Sequence, residues 1–235
     1  MTTTISNSTR LRYKIEMVLP ELMAAGYALT SDPRLTDLYP EYMFTMHSMI
    51  RASVPLMEAA LRQTRSLDAN DPVAAGVARY LAKHIREEMH HDDWLLDDLE
   101  VLGYDRKEIL QRAPYPSVAA MVGSQYYWIF HYHPVALLGY IAVMEGYPPT
   151  LEQVDEQVAR TGLPRQAFRT VIKHAHLDPH HRDDLNAALD ELPLTPEQAS
   201  IIGVSAMQTV HLGSQAIRDA IERGTARLTS QGKKS

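Results

Sequence analysis

The chain has 235 residues, of which 45% are hydrophobic and 22% charged, with a formal net charge of -6, 11 histidines and no cysteine. An ordinary apolar fraction at this length predicts one or two globular domains and excludes a disordered or collagen-like chain. The missing cysteines exclude disulfides, thiolate zinc sites, iron–sulfur clusters and cysteine nucleophiles, so any metal must be held by nitrogen and oxygen.

The acidic balance also separates the chain from dedicated nucleic-acid binders, which cluster Lys and Arg to neutralise phosphate. No apolar run approaches the roughly 20 residues of a membrane span. The Thr- and Ser-rich residues 1–10 lack the apolar segment of a signal peptide. We therefore expect a cytoplasmic protein without nucleic-acid or membrane partners.

Apolar residues recur at helical spacing along nearly all of the chain, and no segment shows a convincing strand-like alternation. The expected class is all-α: one domain over 1–235, a bundle of seven or more helices with an ordered core from about 11 to 228 and polar termini. Gly and Pro set the helix boundaries. The predicted helices are 11–29, 33–38, 40–65, 72–102, 117–146 with a kink at Pro134, 151–161, 164–176, 179–192 and 195–228.

Histidines and carboxylates meet first in the predicted helix 72–102. Glu88 and His91 lie three residues apart and are neighbours on a helix surface, with His84 seven residues before His91. Helical bundles deliver a carboxylate and an imidazole to a metal ion through such a Glu-x-x-His pair. A solvated, charged helix face is the alternative interpretation.

The segment 174–181 also has two interpretations. A continuous helix would place His174, Asp178 and His181 on one stripe, at i, i+4 and i+7. Asp178 before Pro179 is also a good helix N-cap, which would make the segment a junction with exposed histidines. With four histidines and a proline in eight residues, we expect disorder or a distorted helix here in the metal-free protein.

Two further carboxylates complete the candidate set. Glu145 ends an apolar run from Pro134, so it either marks an exposed helix end or is held inside by a positive charge. Glu58 lies beside apolar positions of the predicted helix 40–65, although an exposed Glu near a helix end is common. Three imidazoles and four carboxylates without sulfur suit non-heme iron or manganese and are enough for two ions.

The order of these residues resembles the heme-oxygenase-like diiron oxidases, often labelled iron-containing redox enzymes. The most specific element is the His-x-x-x-Asp-x-x-His stripe about 30 residues after the isolated Glu145. The resemblance implies a seven-helix bundle like that of heme oxygenase, with two non-heme iron ions that activate O2. One iron would be held by Glu58, His91, Glu145 and His181, and the other by Glu88, His174 and Asp178. His84 would support these ligands or replace one of them.

The resemblance further implies an O2-dependent oxidase or oxygenase of a small organic substrate, partly apolar or amine-bearing. N-oxygenation, desaturation and oxidative C–C cleavage are the outcomes known in the family. An electron donor and a homodimeric state would also fit it. The substrate pocket is expected along Tyr127, His131, Leu138 and Ile141, facing Met46, Met49 and Val54, although a Met stripe at helical spacing is also typical of plain core.

Two other hypotheses stay open. One is a non-catalytic or cofactorless ligand-binding member of the same fold, and the other is a mononuclear or manganese site. A cofactorless protein would leave the Glu88 and Asp178 pattern unexplained. Relatives that use a cysteine nucleophile, or a histidine of the first helix, are set aside, because the chain has no cysteine and its first histidine is His47.

Overall fold

The computed structural model describes residues 5–232, and all regular structure in this range is helical, which confirms the all-α class. The α-helices are α1 (Asn7–Ser31), α2 (Leu35–Ile50), α3 (Ser53–Thr64), α4 (Pro72–Glu88), α5 (His91–Val101), α6 (Arg106–Gln111), α7 (Pro116–His131), α8 (Leu137–Met144), α9 (Leu151–Thr161), α10 (Arg169–Glu191) and α11 (Pro196–Gly232). Short 3-10 helices span Pro134–Ala136 and Arg165–Phe168. Among these helices, none has both the length and the apolar character needed to cross a bilayer.

The longest helix, α11, forms one side of the bundle and packs along α1, α2, α7 and α8. The approach of α8 is especially close, since a Cβ on Gly139 would collide with the backbone carbonyl of Ile202 on α11. Only glycine allows this spacing. It seats α8, and with it Glu145 at the C-terminal end of that helix, deep in the bundle.

Two apolar cores meet at a band of polar side chains. Along α10, Ile172 near the start packs against the core that contains Tyr39 and Leu95, whereas Leu185 belongs to the larger core. The same change of core occurs between Leu81 on α4 and Leu95 on α5. The predicted metal ligands at the junction of α4 and α5, and those on α10, therefore lie at the boundary between the two cores.

Several helix boundaries agree with the sequence-based prediction. Asp71 caps α4 by accepting hydrogen bonds from the backbone N–H groups of Val73 and Ala74. Thr195 similarly accepts from the N–H of Gln198 at the start of α11. These agreements share a local cause, because a short polar side chain satisfies helix N–H groups that have no helical partner.

The predicted long helices 40–65 and 117–146 are wrong, because each is split in two. The first is interrupted at residues 51–52, between α2 and α3. The second ends at His131, and His133 is extended, with φ -155° and ψ 136°, before the 3-10 helix that begins at Pro134. A residue before proline avoids the helical region, so Pro134 produces a break rather than the expected kink.

The opposite error occurs at Pro179, where two helices were predicted. α10 runs without interruption through Pro179, so Asp178 is not an N-cap. A proline inside a helix costs about 3 kcal/mol, and burial of Leu185 and Leu189 beyond it offsets that cost. The segment 174–181 is helical throughout, and its disorder in the metal-free protein stays a prediction.

Candidate metal centre

Six candidate ligands converge where α4, α5, α8 and α10 meet. They form two groups, in each of which the ligand atoms lie within 4.8 Å of one another. The first group is His84, Glu88, Glu145 and His181, and the second group is Glu88, His91 and His174. Glu88 belongs to both groups, so its carboxylate lies between two candidate metal positions.

The two oxygens of Glu88 face different groups. Oε1 lies 3.3 Å from Nδ1 of His181, and Oε2 lies 3.1 Å from Nδ1 of His91. Burial alone would raise the pKa of Glu88, but the close contact with His91 and the charges of the neighbouring histidines hold that pKa below its ordinary value. The carboxylate is therefore ionised between the groups and can serve both.

A turn between α4 and α5 brings Glu88 and His91 together. Glu88 ends α4 and His91 begins α5, so the predicted continuous helix 72–102 is wrong at this point. His90 between them is left-handed, with φ 71°, the sole non-glycine residue in the described range with a positive φ. Such a conformation costs about 1–2 kcal/mol outside glycine. The predicted neighbours still meet, but through a strained turn rather than along one helix face.

The first group is held together by an internal ion pair. Nε2 of His84 lies 2.7 Å from Oε1 of Glu145, and Nδ1 of His181 lies 3.9 Å from the other oxygen of Glu145. Although burial opposes its protonation, the Glu145 contact raises the pKa of His84 to about 9. Burial raises the pKa of Glu145. Glu145 is therefore held inside by a positive partner, not exposed as a helix end.

The second group is held by aromatic and backbone contacts. The rings of His91 and His174 lie 5.1 Å apart, and Trp94 stacks on His91 at 3.9 Å. Nδ1 of His174 donates to the carbonyl of Thr170 at 2.9 Å. This bond leaves Nε2 of His174 with a free lone pair for a ligand. Burial lowers the pKa of His174, which also favours the neutral imidazole.

Asp178 lies beside both groups without belonging to either. It is 4% exposed. Burial, together with the negative charges of Glu145 and Glu88, raises its pKa to about 8. The sequence stripe is thus present in space, with Asp178 between His174 and His181 on the inner side of α10.

These residues fit a pair of metal ions. Buried polar atoms are nearly always paired, because an unpaired one costs about 1–3 kcal/mol. Within residues 5–232, five buried ligand atoms have no hydrogen-bond partner: Oε1 of Glu88, Nδ1 of His91, Oε2 of Glu145, Oδ1 of Asp178 and Nδ1 of His181. A cation satisfies oxygen and nitrogen lone pairs at once, and mixed imidazole and carboxylate donors suit iron or manganese.

A comparison with protein families decides the kind of protein. The family model described as iron-containing redox enzyme matches residues 53–214, a range that includes all seven predicted ligands. The chain belongs to this family. No protein of curated function matches the sequence significantly.

Solved structures similar to this chain share its fold. A domain of unknown function with a heme-oxygenase-like fold from Shewanella denitrificans has a TM-score of 0.78 and 19% identity, covering 95% of each chain. A CADD-like protein of unknown function from Nostoc punctiforme has a TM-score of 0.66 and 17% identity, covering 91% of this chain and 98% of its own. A TenA homolog from Pseudomonas syringae has a TM-score of 0.61 and 11% identity, covering 88% and 92%.

One predicted ligand lies outside the site. Glu58 on α3 is 51% exposed and forms an ion pair with Arg62 at 3.6 Å. α3 turns Leu56 and Met57 inward and leaves Glu58 on its outer side. The expected contact of Glu58 with the other ligands is therefore not formed, and His84, expected as a supporting or alternative ligand, occupies the first group instead.

The predicted pocket residues separate into two sets. Tyr127 and His131 are exposed on α7, because the break before Pro134 turns them away from α8. The apolar residues lie in or against the larger core: Leu138, Ile141, Met46, Met49 and Val54. Two surface cavities, of about 340 and 820 Å³, lie at α11, and none of the predicted pocket residues lines either of them. The pocket role of the five core residues stays a prediction.

Sequence reasoning missed three residues that support the site. Tyr80 stacks on His84 with ring centroids 5.2 Å apart, and its position one turn earlier could have indicated the contact. Trp94 stacks on His91 and follows it by three residues, so helical spacing could have indicated this contact as well. Thr170, the acceptor for His174, had no sequence signal, because any residue offers a backbone carbonyl.

Proposed function

We propose that this member of the iron-containing redox enzyme family is an O2-dependent non-heme diiron oxidase or oxygenase of a small organic substrate. The observation that carries the proposal is the shared Glu88, whose oxygens face His181 on one side and His91 on the other. A carboxylate with one oxygen directed at each of two nitrogen-rich groups is the arrangement that bridges two metal ions in helical bundles.

The two groups indicate which residues would hold each ion. His84, Glu145 and His181 would bind one iron, and His91 and His174 the other, with Glu88 shared. Asp178 supplies a further carboxylate next to both groups. This partition differs from the one implied by the sequence resemblance, because it pairs His91 with His174 and includes His84.

When bound, two ferrous ions supply the electrons that activate O2 for oxidation of a C–H or N–H bond. The protein's own residues prepare the site for that chemistry. Glu88, Glu145 and Asp178 offset most of the charge of two ferrous ions. The side chains of His84 and His91 are 1% and 3% exposed, so bulk water is kept from the ligands.

The surroundings favour a partly apolar substrate. The larger apolar core includes Leu138 and Ile141 on α8, the helix capped by Glu145, and Met49 on α2. N-oxygenation, desaturation and oxidative C–C cleavage all fit a buried site of this kind. The proposal includes a small-molecule substrate and an external electron donor that restores the ferrous state after each turnover.

The competing candidate is a metal-free ligand-binding bundle of the same fold. One observation favours it: His84 and Glu145 satisfy each other at 2.7 Å without a metal. The five unpartnered ligand atoms around them count against it, since a metal-free protein would bury them uncompensated.

Anaerobic iron loading separates the candidates. The full chain is incubated with excess Fe(II) without O2, freed of unbound metal and assayed for iron, with a parallel Mn(II) sample. We expect close to two irons per chain, and an absorption change when O2 is admitted. E58Q is the matched control, because Glu58 lies outside both groups and should leave both results unchanged. A folded chain that binds no iron would contradict the enzyme proposal, and one iron per chain would contradict the diiron centre.

A further inference from the structure

Asp98 is a fully buried carboxylate outside the ligand groups. It lies on α5, seven residues and about two turns after His91. Its exposed fraction is 0%, and its Oδ2 accepts the backbone N–H of Thr170 at 2.8 Å. Its nearest cation, Nε of Arg169, is 3.5 Å from Oδ1. Burial of a carboxylate is costly, and the hydrogen bond from the backbone N–H of Thr170 offsets part of that cost.

That contact connects Asp98 with a candidate ligand. α10 begins at Arg169, so the N–H of Thr170 belongs to the first turn and lacks a helical partner. Asp98 therefore caps α10 from a neighbouring helix. The carbonyl of the same residue, Thr170, accepts from Nδ1 of His174. Thr170 is thus fixed to α5 on one side and orients His174 on the other.

α5 and α10 run antiparallel through this contact. His91 faces His174 at one end of the helix pair, and Asp98 faces Thr170 at the other. Trp94 lies between these ends, stacked on His91 at 3.9 Å and edge-on to His174 at 6.0 Å. A shift of α10 at Thr170 would therefore change the separation of the two imidazoles.

We propose that Asp98 is a positioning residue, which sets the spacing of His91 and His174 and thereby controls binding of the second iron. The inference rests on the proposed function. It concerns the second group, because both imidazoles of that group lie on α5 and α10, whereas His84 and Glu145 of the first group lie at α4 and α8 and only its His181 lies on α10.

The test compares D98A and D98N in a W128F background, which leaves Trp94 as the sole tryptophan of the chain. Fe(II) is titrated anaerobically while Trp94 fluorescence and bound iron are measured. W128F should bind two ions, with quenching of Trp94. D98A should bind one, and quenching should need roughly 10–100-fold more iron, the usual effect of removing a group that orients a metal ligand. D98N keeps an acceptor oxygen for Thr170 and should retain two ions.

D190A is the matched control. Asp190 on α10 also holds a first-turn N–H of another helix, that of Ser8 on α1, at 2.7 Å, and its loss should leave two ions. If D98A loses its helical circular dichroism, D98L replaces it, since an apolar side chain of similar size restores packing without an acceptor. The inference would be overturned, with the proposed function left intact, if the folded Asp98 variant bound two ions with unchanged Trp94 quenching. An equal loss of bound iron in D190A would have the same meaning. No iron in W128F would overturn the proposed function, and this inference with it.

Discussion

The two groups of the metal centre are held in place by different means. In the first, His84 and Glu145 form a direct ion pair, and Tyr80 stacks behind it. In the second, Glu88 is the one carboxylate that the described part of the chain groups with His91 and His174, and these histidines depend on the strained turn at His90 and on contacts between α5 and α10. The first group is thus held by an ion pair between side chains, whereas the second depends on backbone placement.

The largest expected effect comes from removal of the residue common to both groups. E88A should lower bound iron from two per chain to nearly none, because each group loses its shared oxygen. The metal-free variant should melt at a lower temperature yet stay folded, since the fold stabilises the ionised Glu88 carboxylate through its histidine neighbours. Iron analysis and thermal melting check both points. Two tightly bound irons in E88A would show that Glu88 does not bridge.

Single histidine variants should separate the groups. H174A should bind one iron and lose the O2-dependent absorption, and H84A should bind one iron at the other position. Trp94 fluorescence distinguishes them, because Trp94 contacts His91 and His174 only in the second group. Metal should therefore quench Trp94 in H84A but not in H174A. Equal quenching of Trp94 fluorescence by metal in H84A and H174A would show that the two groups do not bind metal separately.

Acid should lower the free energy of unfolding through His47, a buried histidine on α2. This side chain is 0% exposed, neither ring nitrogen has a hydrogen-bond partner, and burial with the charge of Arg51 lowers its pKa to about 4, against the opposite effect of Asp92 and Asp93. Because the folded pKa lies below the unfolded value of about 6.5, protonation favours the unfolded chain.

Stability is therefore complete above about pH 6.5 and is lost as the pH falls toward 4, by up to roughly 3 kcal/mol. H47L, which cannot be protonated, should unfold at a lower pH than the parent in a circular dichroism titration. H131Q, altered at an exposed histidine of α7, serves as control. An unchanged acid midpoint in H47L would exclude this source of acid sensitivity.

The smallest effect concerns the turn between the groups. H90G should stabilise the chain by about 1 kcal/mol, because glycine adopts the left-handed conformation without strain. The melting temperature should rise by roughly 2–4 °C at this chain length, with iron binding unchanged. H90A keeps the strain and should not show the rise. A lower melting temperature in H90G would mean that the turn is not strained.

The sequence predicted the helical class and most of the residues that converge at α4, α5, α8 and α10, because both depend on local spacing. His174, Asp178 and His181 share a stripe on any straight helix, so their proximity followed once α10 proved continuous. Glu88 and His91 were also correctly paired, although the turn at His90 was not foreseen. Whether these residues bind iron stays a prediction.

The errors arose where tertiary contacts override local signals. Pro179 and Asp178 have a helix-start signature, but burial of Leu185 and Leu189 keeps α10 unbroken. Glu58 and Glu145 looked alike in the sequence, as single carboxylates beside apolar residues. Only the packing of α3 and α8 determines that one faces solvent and the other faces His84.

The most direct test of the central claim is Mössbauer and electron paramagnetic resonance spectroscopy of the iron-loaded, oxidised protein. If Glu88 bridges the two groups, the spectra should show two ferric ions that are magnetically coupled, with little paramagnetic signal. In E88A the coupling should disappear. Two uncoupled ferric ions, or a single mononuclear signal in the wild-type chain, would contradict a carboxylate-bridged diiron centre.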